Sequence, residues 1–236
     1  MIKFANFVKK RIKLQQSWGF EWAKNCPSFV TKLSIKKVLL AIFGVLLVCI
    51  GVAFNNNTSL GNDPVGIVYD GIRVMFNMKP IHLGYVSNFI NIVLIIILLA
   101  LGRRYVNIGT ALYLLPYGFF ITIGSRLYPM IFSGKDILTR LMGGTTGIAL
   151  YYVGISLFVA TEIGVDPFNG IMLTIRDKTE WSIRKSKIIF DICLTSLGIL
   201  LGGKFGLITL VAATSTGPVI QSLGGWFKKY LKIEKE

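Results

Sequence analysis

The sequence predicts an all-α fold: a polytopic transmembrane bundle of two related halves, each a span, a break, a short helix and two further spans. Three observations predict it. The 236-residue chain is 53% hydrophobic with a mean hydropathy of +0.63, which is too apolar for a soluble domain of this size. It contains several apolar runs near the roughly 20 residues that a helix needs to cross hydrocarbon. A helix-breaking stretch, Gly164-Val165-Asp166-Pro167-Phe168-Asn169-Gly170, has a near copy 103 residues earlier, Gly61-Asn62-Asp63-Pro64-Val65-Gly66. In each, Gly permits a turn, Asp can cap free N–H groups and Pro suits the first helical position. A break of this kind inside a membrane is tolerated only where protein or a water-filled cavity surrounds it.

Residues 1–37 carry nine Lys/Arg mixed with Phe4, Phe7, Val8, Ile12, Trp18, Phe20 and Trp22. This mixture suits either an interfacial helix on the membrane surface or a solvated tail, and it lacks the short apolar core and small-residue site of a cleaved signal. The first transmembrane repeat covers residues 38–124. Span 1, Val38 to Phe54, ends in the polar run Asn55 to Ser59. A short helix from Asp63 to about Met78 is too short to cross a core of about 30 Å comfortably. Span 2 runs from Tyr85 to Leu101, and span 3 from Ile108 to Ile123.

Residues 125–140, with Pro129, Gly134 and mixed charge, read as the connector. The second repeat, 141–226, begins with span 4, Leu141 to Ala160. A short helix from Asp166 to Arg176 and a basic loop to Lys187 follow. Span 5 is Ile188 to Leu201 and span 6 about Phe205 to Leu223, with a basic tail over 227–236. At an offset of 103, Gly44/Gly147, Leu47/Leu150, Gly51/Gly154, Gly61/Gly164, Asp63/Asp166, Pro64/Pro167, Ile72/Ile175 and Arg73/Arg176 are identical, more than apolar composition alone would supply.

The symmetry depends on whether the short helices cross. If they dip in and return, a half crosses three times and the halves are inverted; if they cross, the halves are parallel. With the N-terminus inside, the parallel case leaves Arg103, Arg104 and Lys204 outside, and the inverted case leaves Arg73, Lys79, Arg126, Lys135, Arg140 and Lys204. Charge therefore favours parallel, and helix length favours inverted. Both place the two termini in the cytoplasm of a multi-pass cell-membrane protein.

The formal net charge of +15 would suggest nucleic acid in a soluble protein. Here the cations sit in tails and short loops, a pattern that points to anionic lipid headgroups rather than to nucleic acid. Cys26, Cys49 and Cys193 form no even framework, and His82 is the one histidine, so neither a disulfide framework nor a metal site is expected. No nucleophile set, phosphate loop or carboxylate pair suggests an enzyme or a cofactor.

At the repeated Gly-x-Asp-Pro, with Gly109-Thr110 in span 3 and Gly217-Pro218 in span 6, the chain resembles the YczE/YyaS/YitT family of bacterial membrane proteins, most closely its YczE branch. The resemblance covers roughly Val38 to Leu223 and implies an integral membrane protein with no agreed substrate. The aromatic residue that commonly follows the motif proline is kept at Phe168 but not at Val65. The Gly-Thr step becomes Ile208-Thr209 in the second half.

The residues best placed to bind a solute or ion are Asp63, Asp166, Asn169, Asn88, Asp191, Thr214, Ser215 and Thr216, around the break residues Gly61, Pro64, Gly164 and Pro167. Asp63 and Asp166 either cap their helices alone or also hold a cation. Asp191 lies just inside span 5, where Lys187 one turn earlier can pair with it. The hydroxyls of Thr214 to Thr216 precede a Gly-Pro break, where they either line a cavity or bond to their own helix. Glu162 reads as a residue at the membrane edge. The function expected is a small-solute or ion-coupled transporter with its site between the repeats; the alternative is a non-transporting scaffold or assembly partner, possible also as a homo-oligomer.

Overall fold

The computed structural model describes residues 34–134 and 136–231. The expected N-terminal amphipathic helix, Cys26, Lys135 and the last five residues lie outside them. The described residues form eight α-helices: α1 Ile35–Thr58, α2 Pro64–Met75, α3 Leu83–Leu101, α4 Ile108–Ile131, α5 Ile137–Thr161, α6 Pro167–Thr179, α7 Ile183–Leu200 and α8 Leu207–Tyr230. Five helical segments are long and apolar enough to cross a membrane: α1, α3 with the turn before it, α4, α5 and α8. Large apolar side chains such as Phe89, Ile96, Leu115 and Phe119 are exposed on their outer faces, as lipid contact requires.

The sixth expected span, α7, forms a helix but starts earlier than expected. Ser182 caps it by accepting the Lys185 N–H at 3.3 Å, so Arg184, Lys185 and Lys187 belong to the helix rather than to a loop. With Asp191 they keep it below the apolarity of the other five. The connector is also shorter than expected, because α4 runs on through Pro129 to Ile131. Asp136 then caps α5, taking the Thr139 N–H at 2.9 Å.

Span 1 does not end at Phe54. α1 continues to Thr58 and buries Asn55, Asn56 and Thr58, so the polar run expected after span 1 is its last turn. Asn56 donates to Asp70 at 2.7 Å, the Thr58 hydroxyl to the Asn55 main-chain carbonyl at 2.7 Å, and Arg140 to the Thr58 carbonyl at 2.7 Å, while the side-chain oxygens of Asn55 and Asn56 are buried without a partner.

Glycines set the central contact. A Cβ on Gly44 would fall 2.8 Å from the Gly154 carbonyl oxygen, and one on Gly51 would fall 2.5 Å from that of Gly147, so α1 and α5 pack backbone against backbone. The paired numbers fall on one helix as they rise on the other, so α1 and α5 are antiparallel. Phe54 meets Tyr128 of α4 and Phe132 just after it, while Gly124 of α4 meets Ile50 and Ala53; α1 and α4 are parallel. The Gly84–Thr122 and Asn88–Gly118 contacts make α3 antiparallel to α4.

The directions decide how α2 runs. The Asn62 amide donates to the Val52 carbonyl at 3.1 Å, which places the first break about 9 Å inside the end of α1 at 1.5 Å per residue. From there α2 climbs back to Asp70, level with Asn56. Its 12 residues span about 18 Å and do not cross. The lean of the charge count towards crossing short helices is therefore corrected. It failed because cations that it counted against the inverted case are tied into the protein: Arg73 pairs with Asp70 and Arg140 bonds to Thr58.

The Lys36 ammonium donates to the Leu231 carbonyl at 2.6 Å, and Lys228 of α8 pairs with Glu162 at the end of α5. The start of α1 and the end of α8 thus share one face of the bundle.

Candidate functional site

Each break is built from its own residues and then locked by the start of a helix distant in sequence, α8 at the first break and α4 at the second. At the first, Gly61 has φ +100°, a backbone that favours glycine, and a Cβ there would fall 2.3 Å from the Thr209 hydroxyl. The Ile208 N–H donates to the Leu60 carbonyl at 3.0 Å and the Asn62 N–H to the Thr209 hydroxyl at 3.2 Å. The second break meets the start of α4 in the same way. The Gly109 N–H donates to Ile163 at 3.2 Å, and the Thr110 hydroxyl to the Val165 carbonyl at 2.9 Å. A Cβ on Gly164 would fall 2.1 Å from Asn107.

The two Asp caps differ. Asp166 accepts the Asn169 N–H at 3.1 Å and the Asn169 side-chain amide at 2.5 Å. Pro64 and Pro167 both stand at the first helical position. Asp63, only 4% exposed, takes the Val65 N–H at 3.3 Å on one oxygen and lies beside the Gly66 N–H. Its Oδ1 has no hydrogen bond of normal geometry. The position of Asn169 is occupied in the first half by Gly66, where the Asn62 side chain fills the space that a Cβ would need, 2.4 Å away.

α2 and α6 meet inside the bundle, where the Tyr69 ring stands edge-on to Phe168 at 5.7 Å. Tyr69 donates to the Asn91 carbonyl oxygen at 3.0 Å, while the Asn91 amide nitrogen, fully buried, has no partner. Tyr117 lies 5.9 Å from Tyr69 and stacks on Tyr113 at 5.0 Å. The electrostatic neighbours of Asp63 are Lys187 and Asp191 on α7, which pair with each other at 2.7 Å. Asp191 therefore joins this centre.

The other expected residues do not. The Thr214 hydroxyl bonds to the Leu210 carbonyl, Ser215 to Val211 and Thr216 to Ala212, all on their own helix; Ser215 also meets Tyr152 at 2.5 Å. Among the described residues no hydrogen bond joins them to either break, so local bonding is the reading the structure favours. Asn88 accepts the Gly118 N–H at 2.9 Å, just after Pro116, and ties α3 to α4. His82 sits in the turn before α3, with its ring 6.1 Å from that of Tyr85.

Sequence reasoning missed the pairing of Tyr69, in the short helix, with Asn91, one of the polar residues near the start of span 2. It also missed a clasp at the outer end of α2. There Asp70, 2% exposed, accepts from Asn56, from Arg73 at 2.7 Å and from the Lys204 N–H at 3.1 Å. The matching end of α6 is clasped by Arg176, which donates to Tyr105 at 2.9 Å and to Asp177 at 2.5 Å, with Arg104 also pairing with Asp177. The signal available was Asp70 and Arg73 one turn apart on an apolar helix.

Apolar helices of membrane-spanning length, lipid-type outer faces and re-entrant short helices define a multi-pass helical membrane protein. Within that class, the profile of the family of unknown function DUF6198 matches residues 35–224, and the chain belongs to that family. It is 27% identical over 186 residues to an uncharacterised protein of Haemophilus influenzae, covering 79% of this chain and 82% of that one. It is 24% identical over 121 residues to the uncharacterised membrane protein YczE of Bacillus subtilis, covering 50% of this chain and 54% of that one, in keeping with the YczE-like resemblance. No solved structure matches the chain.

Proposed function

We propose that the chain is a transporter of a small solute or ion, and not an enzyme, with its site where α2 and α6 meet. One observation carries the reading: two short helices enter the bundle from opposite faces, start on capped breaks in its interior, and touch through Tyr69 and Phe168. Helix starts with free N–H groups and irregular backbone at mid-depth are what substrate sites in membrane transporters use. In this reading the halves are inverted repeats. Antiparallel α1 and α5 support that, as does the exchange by which each break is locked by the other half. The shared face of the described ends is cytoplasmic, where the basic tails meet anionic lipid.

The test of function is uptake and efflux with purified protein in liposomes, against cations, anions, sugars and amino acids. The expected result is flux of one class that Asp63→Asn abolishes; no flux across that panel overturns the reading. The topology is tested by cysteine labelling in intact cells. Lys79→Cys labels from outside and Lys229→Cys does not; labelling of both from the same side defeats the inverted arrangement.

A further inference from the structure

The start of α2 sets a carboxyl group where the protein offers it no counter-charge. Asp63 is 4% exposed and is held in place by the turn at Gly61 and by the bond from the Asn62 N–H to the Thr209 hydroxyl at 3.2 Å. One of its oxygens takes the Val65 N–H at a long 3.3 Å, and the other, Oδ1, is buried with no hydrogen bond of normal geometry. Among the described residues Asp63 forms no ion pair. The charged groups on the helices around it are engaged elsewhere: Lys187 with Asp191 on α7 at 2.7 Å, Asp166 on α6 with Asn169, and Asp70 farther along α2 with Arg73. Within α1 and α8 the charged residues, Lys36, Lys37, Lys228 and Lys229, lie at the ends away from this break, α3 has none, and Lys204 before α8 bonds to Ser59 at 2.6 Å. A buried carboxylate so poorly partnered is strongly unfavourable, and binding a proton removes the cost.

A metal ion would need more than this break supplies. The neighbouring oxygens are already taken by protein N–H groups: Thr209 Oγ1 accepts from Asn62 and Gly206, Asn62 Oδ1 from Asp63, and the Leu60 and Val52 carbonyls from Ile208 and the Asn62 amide. Among the described residues no group of three metal-ligating side chains gathers. One unengaged oxygen suits a proton, whereas a hard divalent cation takes about six oxygens.

We propose that Asp63 is a proton-binding site, occupied in the packed arrangement seen here, and that its proton is the coupling ion of transport. The coupling rests on the transporter reading and names its ion. The step is an exchange with water. On the face towards which the break opens, the carboxylic acid gives H⁺ to water and becomes a carboxylate; on the other face the carboxylate takes H⁺ from water before the break closes again. Asp166 takes no part, because Asn169 already satisfies both of its oxygens.

The test is infrared difference spectroscopy of the purified full-length protein in liposomes, taken between neutral and alkaline buffer. Wild type shows the C=O band of a protonated carboxyl at neutral pH, which shifts in deuterium oxide and disappears in alkali. Asp63→Asn keeps a good helix cap, elutes as wild type on size exclusion, and lacks the band; Asp166→Asn retains it. The double variant Asn62→Val with Gly66→Asn leaves Asp63 in place, gives it the amide partner that Asp166 has, and holds the proton about tenfold less tightly. The proposal falls if wild type shows no such band, if the band survives Asp63→Asn, if Asp166→Asn removes it, or if the double variant holds its proton as wild type does. In liposomes that carry flux, an imposed pH gradient raises accumulation severalfold, and a flux indifferent to the gradient overturns the coupling. The band is read without flux, so its absence leaves the transporter reading standing. A band without flux overturns that reading and the coupling, and leaves the proton site.

Discussion

The two breaks share the Gly-x-Asp-Pro skeleton, yet one is closed and the other open. At the second, Asn169 satisfies the Asp166 carboxylate by main chain and side chain. At the first, the matching position is Gly66, which has no side chain to offer, and the buried Asp63 Oδ1 has no hydrogen bond of normal geometry. The outer clasps differ in the reverse sense. Asp70 and Arg73 are buried and tie α2 to three other segments, whereas Asp177 is 24% exposed. The first break thus combines an unsatisfied carboxylate at its inner end with a rigid anchor at its outer end. An anchored helix can hold a destabilised group in place, which is how functional strain persists in folded proteins.

The largest expected effect tests the anchors. Asp70→Ala leaves the Arg73 guanidinium buried without its partner and frees Asn56 and the Lys204 N–H, a loss of about 3 to 5 kcal/mol. Asp177→Ala removes a partly exposed partner and costs about 1 kcal/mol or less. Denaturation of the two variants in matched detergent checks this. Equal losses would show that burial does not separate the clasps.

A smaller and more informative change converts the open break into the closed one. The second half has Val165 and Asn169 where the first has Asn62 and Gly66. Asn62→Val must accompany Gly66→Asn, because the Asn62 side chain occupies the space of the new Cβ. The double variant gives Asp63 the side-chain partner that Asp166 has and gives up the Asn62–Val52 hydrogen bond, so stability stays within about 1 kcal/mol of wild type, and transport is abolished. Asp166→Asn in the untouched second break keeps a good cap and retains activity. A double variant with normal transport would remove the open carboxylate from the mechanism.

These contrasts mark what the sequence could reveal. Gly, Asp and Pro act within a few residues, so the breaks, the lengths of α2 and α6 and the Asp caps were legible from local chemistry. The locking of Leu60 to Asn62 by Ile208 and Thr209 was not, since its partners lie about 150 residues apart. Thr110 and Thr209 were visible as matching positions, but their roles appear only once the halves are packed. The charge count went astray for a related reason. It treats every cation as solvated, and Arg73 is 8% exposed against a buried Asp70. The hydroxyls of Thr214 to Thr216 show the converse, polar residues of a span whose partners are one turn away.

The smallest expected effect uses a third Asp cap as the reference for the other two. Asp136 starts α5 outside the membrane-spanning part of the chain, and the hydrogen bonds from the Thr139 backbone and hydroxyl hold its carboxyl below the usual carboxylate range. A carboxyl whose folded value is depressed binds its proton less readily when folded. Its contribution to stability is therefore complete above the unfolded value near 3.8 and is lost as pH falls through the lower folded value. Thermal midpoints of wild type and Asp136→Ala should differ by a constant amount from neutral pH down to about 4 and converge below it. Asp136→Asn, which caps without titrating, should track wild type at neutral pH and hold its midpoint better in acid. If wild type and Asp136→Ala keep the same gap down to pH 3, the cap does not depend on the charge. The contrast between Asp63 and Asp166 would then have to be sought in neighbouring charges rather than in capping.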